Sequence, residues 1–242
     1  APVKIYDVND FESYKTVELR IKYFIHKKIE LNAIVPYNQN KFLEEKESGT
    51  LNGIGDPTFM AAYHLIRKID TVTFQQRFIV GAGIKIPSGN YYVFNDKGLR
   101  YPFLMQPGTG SVDELIYANY IAGYKMIGFN VNVMYKINGE NYYHEKISNS
   151  LTSYCNVFLR YKTGNFTFTP SAQFYFENTE GVLHNGILQE GTAMKMMMAG
   201  AGLDVYYKNF GLNLSAQKTV YELKQEGNMS CAGRLMIGLN YN

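Results

Sequence analysis

The chain has 242 residues, of which 46% are hydrophobic and 19% charged, with 21 Tyr, 15 Phe and 22 Gly. That length suits one large domain, and the aromatic content excludes a disordered chain. The net charge of +3 comes without any cluster of Lys and Arg, which excludes a nucleic-acid partner, and no run approaches the ~18 apolar residues of a membrane helix. The mean hydropathy of −0.23 suits a soluble protein. It equally suits strands with one apolar and one polar face.

Periodicity decides between these. From Thr16 the chain reads TVELRIKYFI, so that Val17, Leu19, Ile21 and Tyr23 alternate with Glu18, Arg20 and Lys22. A period of two means a strand. After a polar turn at 26–28, Ile29, Leu31, Ala33, Val35 and Tyr37 repeat the pattern opposite Glu30 and Asn32, which predicts a hairpin. Further alternating runs follow at 58–67, 74–86, 112–122, 127–137, 151–161, 166–176, 194–207, 210–219 and 229–241. Eleven strands are visible, and no helix.

Most runs are long, about ten residues or more, against ~5–6 in soluble sheets and the ~9–11 that cross a bilayer. Short turns at 26–28, 68–71, 123–126, 163–165 and 208–209 alternate with long connections at 38–57, 87–111, 138–150, 177–193 and 220–228. Tight periplasmic turns with longer extracellular loops are the plan of an outer-membrane barrel. Tyr23, Phe129, Tyr161, Phe166, Phe168, Tyr207, Phe210 and Tyr241 fall on apolar faces near the short turns, where an interfacial girdle belongs. The alternative is a soluble β-sandwich, which needs a dry inner face. Here the non-apolar face is mixed and charged, which fits lipid outside and a polar lumen inside.

The expectation is therefore an all-β, antiparallel transmembrane β-barrel in the bacterial outer membrane, one domain over 1–242. The first and last visible strands run in the same direction. A twelve-stranded barrel then needs one more strand, expected upstream of Ala1 rather than within residues 1–15, whose alternation is poor, or a partner that closes the gap. Pro170 lies mid-strand, where its missing N–H predicts a bulge or local distortion.

Four segments in this order, LRIKYFIHKKIELNAIVPYNQNK, GIGDPTFMAAYHLI, GAGIKIPSGNY and MQPGTGSVDELIYANY, resemble the outer-membrane transporters of the phenol-degradation meta-pathway (MetA-like) family. They are most similar to its Bacteroidota variant, known simply as a transporter. The match runs from about Val17 to Tyr135 and continues weakly to the C-terminus. The resemblance implies passage or binding of a small molecule at the outer membrane, a Cys-rich segment and a first strand upstream of Ala1, and no catalytic residues.

Candidate sites follow from strand parity. Arg20, Lys22, Arg77, Lys85, Lys136, Arg160 and Arg234 should face Glu18, Glu30, Glu177 and Asp204 across the lumen, basic groups in excess. Side chains this long in a twelve-stranded bore leave a narrow passage, and the residual charge favours anions or small polar solutes. The expected function is a porin-like channel or transporter for a small solute. The alternative is a non-transporting barrel subunit accompanying other outer-membrane proteins in a larger assembly.

Other constellations carry less. Met194, Met196 and Met198 alternate on one face, as soft-metal ligands would, with Met60 and Met134 as inward partners, although methionine also fills irregular space. Gly81 and Gly83, like Gly200 and Gly202, open no helix, so they make room for long neighbours rather than cradle a phosphate. His26, His64, His144 and His184 are scattered without zinc spacing, and His64 has no readable partner for acyl-transfer chemistry. No cofactor, metal site or enzymatic activity is expected. Gly53–Pro57 and Pro107–Ser111 serve tight turns, with Asp56 and Asp113 as alternative residues of a pore mouth. Cys155 and Cys231 should face lipid from separate strands as free thiols.

Overall fold

The structure, a computed structural model, describes residues 11–44, 47–69, 74–95, 98–223 and 231–241. In chain order the strands are β1 (Phe11–His26), β2 (Ile29–Glu44), β3 (Glu47–Ile54), β4 (Thr58–Lys68), β5 (Phe74–Lys85), β6 (Asp113–Tyr124), β7 (Ile127–Ile137) and β8 (Glu145–Ile147). They continue as β9 (Ser150–Leu159), β10 (Tyr161–Thr163), β11 (Phe166–Thr179), β12 (Val182–His184), β13 (Ile187–Leu188), β14 (Met194–Tyr207), β15 (Phe210–Glu222) and β16 (Gly233–Tyr241). One 3-10 turn, Phe103–Met105, interrupts the connection between β5 and β6.

Eleven of these strands form one curled antiparallel sheet in the order β1-β2-β4-β5-β6-β7-β9-β11-β14-β15-β16. Each spanning strand pairs with its neighbour in sequence across a short turn or a long connection, the meander that the alternation predicts. Among the described residues β1 and β16 are the free edges, so the sheet is an open half-barrel. The long connections are not plain loops. Residues 38–57 extend β2 and fold back as β3, paired from Tyr37↔Ile54 to Glu44↔Glu47, while β8, β12 and β13 make a separate three-stranded sheet.

The register divides the side chains cleanly. Val17↔Tyr37, Leu19↔Val35 and Ile21↔Ala33 share the outer face, where Val17 is 72% exposed and Leu239 of β16 83% exposed. In a two-sheet sandwich these residues would be buried together, so that architecture is excluded. At the short-turn edge Phe166 packs against Tyr207 (4.8 Å between ring centroids) and Phe210 against Tyr241 (5.1 Å), and Tyr23 and Tyr161 stay exposed on the same face. A broad apolar surface edged by amphipathic rings suits a bilayer and its interface.

Pro170 produces distortion without a bulge. The pairings Ser171↔Phe158 and Tyr161↔Phe168 keep one register on either side of it. The opposing strand nevertheless breaks at Arg160, which separates β9 from β10, whereas the ladder to β14 stays continuous. The missing N–H therefore costs a rung on one side only. Register shifts occur instead at Phe24/His26, His64/Ile66 and Met197/Met198. Both described cysteines are free thiols. Cys155 is on the outer face beside Val131 and Phe174, but Cys231 precedes β16 rather than lying in it, so its expected lipid-facing strand position is corrected.

Candidate functional site

The inner face of the curl gathers most of the charge of the spanning strands, whereas Lys15, Lys41, Glu114, Lys195 and Lys218 take the outer parity toward the long-loop end. By register, Glu18, Arg20 and Lys22 of β1, Glu30 of β2, Arg77 and Lys85 of β5, and Lys136 of β7 share the inner face. Glu177, Asp204 and Arg234 join them from β11, β14 and β16, and Arg160 faces the same cleft as Arg77 and Asp204. The face is concave, because side chains two strands apart meet on it: Gln217 of β15 donates to Gln173 of β11 at 2.9 Å. Three layers of contacts order these groups.

At the long-loop end, Lys85 Nζ lies 2.6 Å from Asp113 Oδ2 and 3.3 Å from Asp56 Oδ2, and it also donates to Thr109 Oγ1. Lys136 Nζ approaches Asp113 Oδ2 at 3.6 Å. The other Asp113 oxygen accepts from Ser111 Oγ and the Gly139 N–H. Asp56 accepts the backbone N–H groups of Gly89 and Thr109. Both carboxylates are buried and fully engaged, so they anchor the loops rather than line an open mouth. The 87–111 connection is also tied to the inner face of β2, where Asn40 donates to Met105 O (3.0 Å) and Asn38 to Pro107 O (2.6 Å). It thus folds inward across this end of the sheet. Arg100 Nη1 fastens it to Glu145 of β8, reaching both oxygens at 2.9 and 2.8 Å.

In the middle, Arg234 stacks over Tyr175 (4.1 Å to the centroid) and donates to Gln217 Oε1. Tyr175 in turn donates to Glu177 (2.6 Å). Asn240 donates to Asn213, which donates to Asp204. Such linked amides and charges hold long side chains against the wall. Small residues give them room: a Cβ at Gly81 would lie 2.5 Å from the Tyr117 ring, and one at Gly202 would overlap Gln173. The paired glycines are spacers, as their position in strands implies.

At the short-turn end, Glu30 and His64 are buried together with Nε2 3.1 Å from Oε2, and Lys22 Nζ is 3.6 Å from the same oxygen. The sequence offers no partner for His64; the structure supplies Glu30. The pair is brought together by the register of β2 with β4, which the intervening β3 hides from counting. Near it, Arg77 has Arg67 and Arg160 as charged neighbours besides Glu30. A cleft of about 490 Å³ opens here between Arg77, Arg160 and Asp204.

Met194, Met196 and Met198 do share the inner face, opposite Thr179, Glu177 and Tyr175. Met196 and Met198 are buried, and Met194 is exposed. Met60 and Met134 face inward from β4 and β7. Among the described residues no group of three or more His, Cys, Asp or Glu could hold a metal ion. His144 and Glu140 pair in an exposed loop.

No protein-family description matches the chain, and no curated protein matches it. Among solved structures it is similar to an outer membrane channel from Pseudomonas putida F1, with a TM-score of 0.67 and 11% identity. The alignment covers 96% of this chain and 82% of that one. The fold is that of an outer-membrane β-barrel channel. At this identity the likeness concerns architecture alone, so it bears on the MetA-like resemblance only at the level of a shared barrel fold.

Proposed function

We propose that the protein is an outer-membrane β-barrel channel for a small polar or anionic solute, and not an enzyme. The observation that carries this reading is the division of the sheet into an exposed apolar outer face and a charged, hydrogen-bonded inner face, in a fold similar to that of a known channel. Lipid tolerates the first and a water-filled path needs the second.

Narrowness follows from the inner contents. Loop 87–111 is anchored inward by Asp56, Lys85 and Asp113, and Arg234, Tyr175 and Tyr117 project from the wall. Acidic groups at the long-loop end neutralise Lys85 and Lys136, whereas Arg67, Arg77 and Arg160 outnumber the carboxylates near the short turns. Low-dielectric walls amplify that excess. A mild anion preference results.

We read residues 1–242 as a single barrel domain closed by one further strand, and as a member of the Bacteroidota transporter variant. Support comes from β1 and β16, which both run toward the short-turn side, so that one strand of opposite direction would pair with each. A second reading, a barrel subunit within a larger outer-membrane assembly, rests on the same two free edges.

Purified protein in planar bilayers tests the proposal. Small conductance with weak anion preference is expected, and Arg77→Ala with Arg160→Ala should enlarge the current and reduce the preference. Cation selectivity of the unmodified protein overturns the charge assignment. Absence of current before and after substitution favours the assembly reading, which stoichiometric copurifying proteins in mild detergent would support.

A further inference from the structure

The cleft at the short-turn end has a composition that a mere water path does not require. Two guanidiniums, Arg77 and Arg160, border it against a single lining carboxylate, Asp204. Among the described residues no carboxylate makes an ion pair with either arginine, and Asp204 Oδ1 is already taken by the Asn213 amide at 2.7 Å. Elsewhere on the inner face Lys85 is held by two aspartates, Lys22 by Glu30, and Arg234 by Gln217 and Tyr175. Glu30 acts on Arg77 only at a distance, and guanidiniums with no carboxylate in direct contact, beside a recess, are suited to a bound oxyanion.

Two further features qualify the ligand. Asn156 lines the cleft, and its buried side-chain oxygen has no hydrogen-bond partner among the described residues. An amide can present either its oxygen or its N–H2 group, so this position can meet the head group of a ligand. Ile121 and Phe158 supply apolar wall in the same recess, and Arg160 sits 5.9 Å from the Phe158 ring centroid. The volume of about 490 Å³ falls within the range of small-molecule sites, about 300–1,000 Å³.

We infer that this cleft is a binding station for a small amphiphilic organic anion, its oxyanion head on Arg77 and Arg160 and its short apolar body against Ile121 and Phe158. The station rests on the channel reading for its place on a solute path, but binding itself does not need conduction. An ion held only by charge would ignore the apolar wall, and an apolar solute would ignore the arginines. Requiring both is what the arrangement adds.

Full-length protein in lipid nanodiscs, titrated calorimetrically against empty nanodiscs, tests this with hexanoate as probe. Hexanoate should bind at least tenfold more tightly than acetate, inorganic phosphate or 1-hexanol. Arg77→Gln with Arg160→Gln should weaken it tenfold or more, and so should the isosteric Asn156→Asp, which keeps the volume and adds repulsion. Hexanoate binding with this pattern in a protein that carries no current upholds the station and removes the channel reading. Anion-selective current with hexanoate no tighter than acetate or phosphate, or unaffected by the variants, overturns the station and leaves the channel. Equal binding of 1-hexanol overturns it as well.

Discussion

Lys85 and Asp113 are direct partners across β5 and β6, with Nζ 2.6 Å from Oδ2 and the aspartate 1% exposed. They are the ends of the strands that the 87–111 connection joins, so the ion pair closes the base of the inward-folded loop. Removing the Asp113 charge leaves the buried Lys85 with Asp56 alone and deprives Lys136 of the same carboxylate. Asp113→Asn should therefore destabilise the folded barrel by about 3 kcal/mol, measured by denaturant unfolding in detergent micelles. Lys85→Met should also destabilise the barrel, because it strips Asp113 and Asp56 of their shared cation, and Lys85→Met with Asp113→Asn should cost less than the two single losses added together. Strictly additive losses would refute the pairing.

At the other end, His64 and Glu30 make a similar arrangement with fewer partners. Asn32 donates to Glu30 Oε1 at 3.2 Å, Lys22 is at the margin of ion-pair distance, and His64 Nδ1 has no partner among the described residues. His64→Leu leaves the Glu30 carboxylate short of one bond. A loss of about 2 kcal/mol is expected, with Glu30→Gln in the same background restoring part of it. No change on His64→Leu would mean that Lys22 and Asn32 suffice.

The alternation of side chains made the spanning strands legible, because a lipid outside and a polar inside impose opposite chemistry on successive residues. Where that contrast lapses, the sequence reads as loop. Asn38–Lys41 continue β2 with polar residues on both faces, and β3, β8, β12 and β13 are either loop-borne or only two or three residues long. Parity also assigned the eleven charged candidates to one face. It could not say which of them meet, since Lys85 and Asp113 are separated by a connection whose course no local pattern fixes. The Glu30–His64 contact was hidden for the same reason, with β3 inserted between the two strands. Cys231 was misassigned because the last strand begins at Gly233, later than the apolar residues suggest.

Gly81 offers a test of the spacer reading. A Cβ there would lie 2.5 Å from the Tyr117 ring, so the ring would have to move. Gly81→Val should cost about 1–3 kcal/mol through overpacking, read from the same unfolding measurement. Adding Tyr117→Ala should remove most of the cost. If Gly81→Val is neutral by itself, the tyrosine is free to swing away and does not narrow the inner face.

The two native thiols report on the outer face without any substitution. Cys155 sits among Val131 and Phe174 on the apolar side of β9, so in a membrane it should be shielded by lipid from a hydrophilic maleimide. Cys231 precedes β16 at the long-loop end, its N–H bonded to Glu222 at 3.0 Å. On the barrel plan that end is extracellular. Intact cells carrying the protein should therefore be labelled at Cys231 alone, and both thiols should react after denaturation. Prompt labelling of Cys155 in intact cells would turn the apolar face toward water and sink the membrane assignment. Protection of Cys231 with labelling only after permeabilisation would instead reverse the orientation of the barrel while keeping its register.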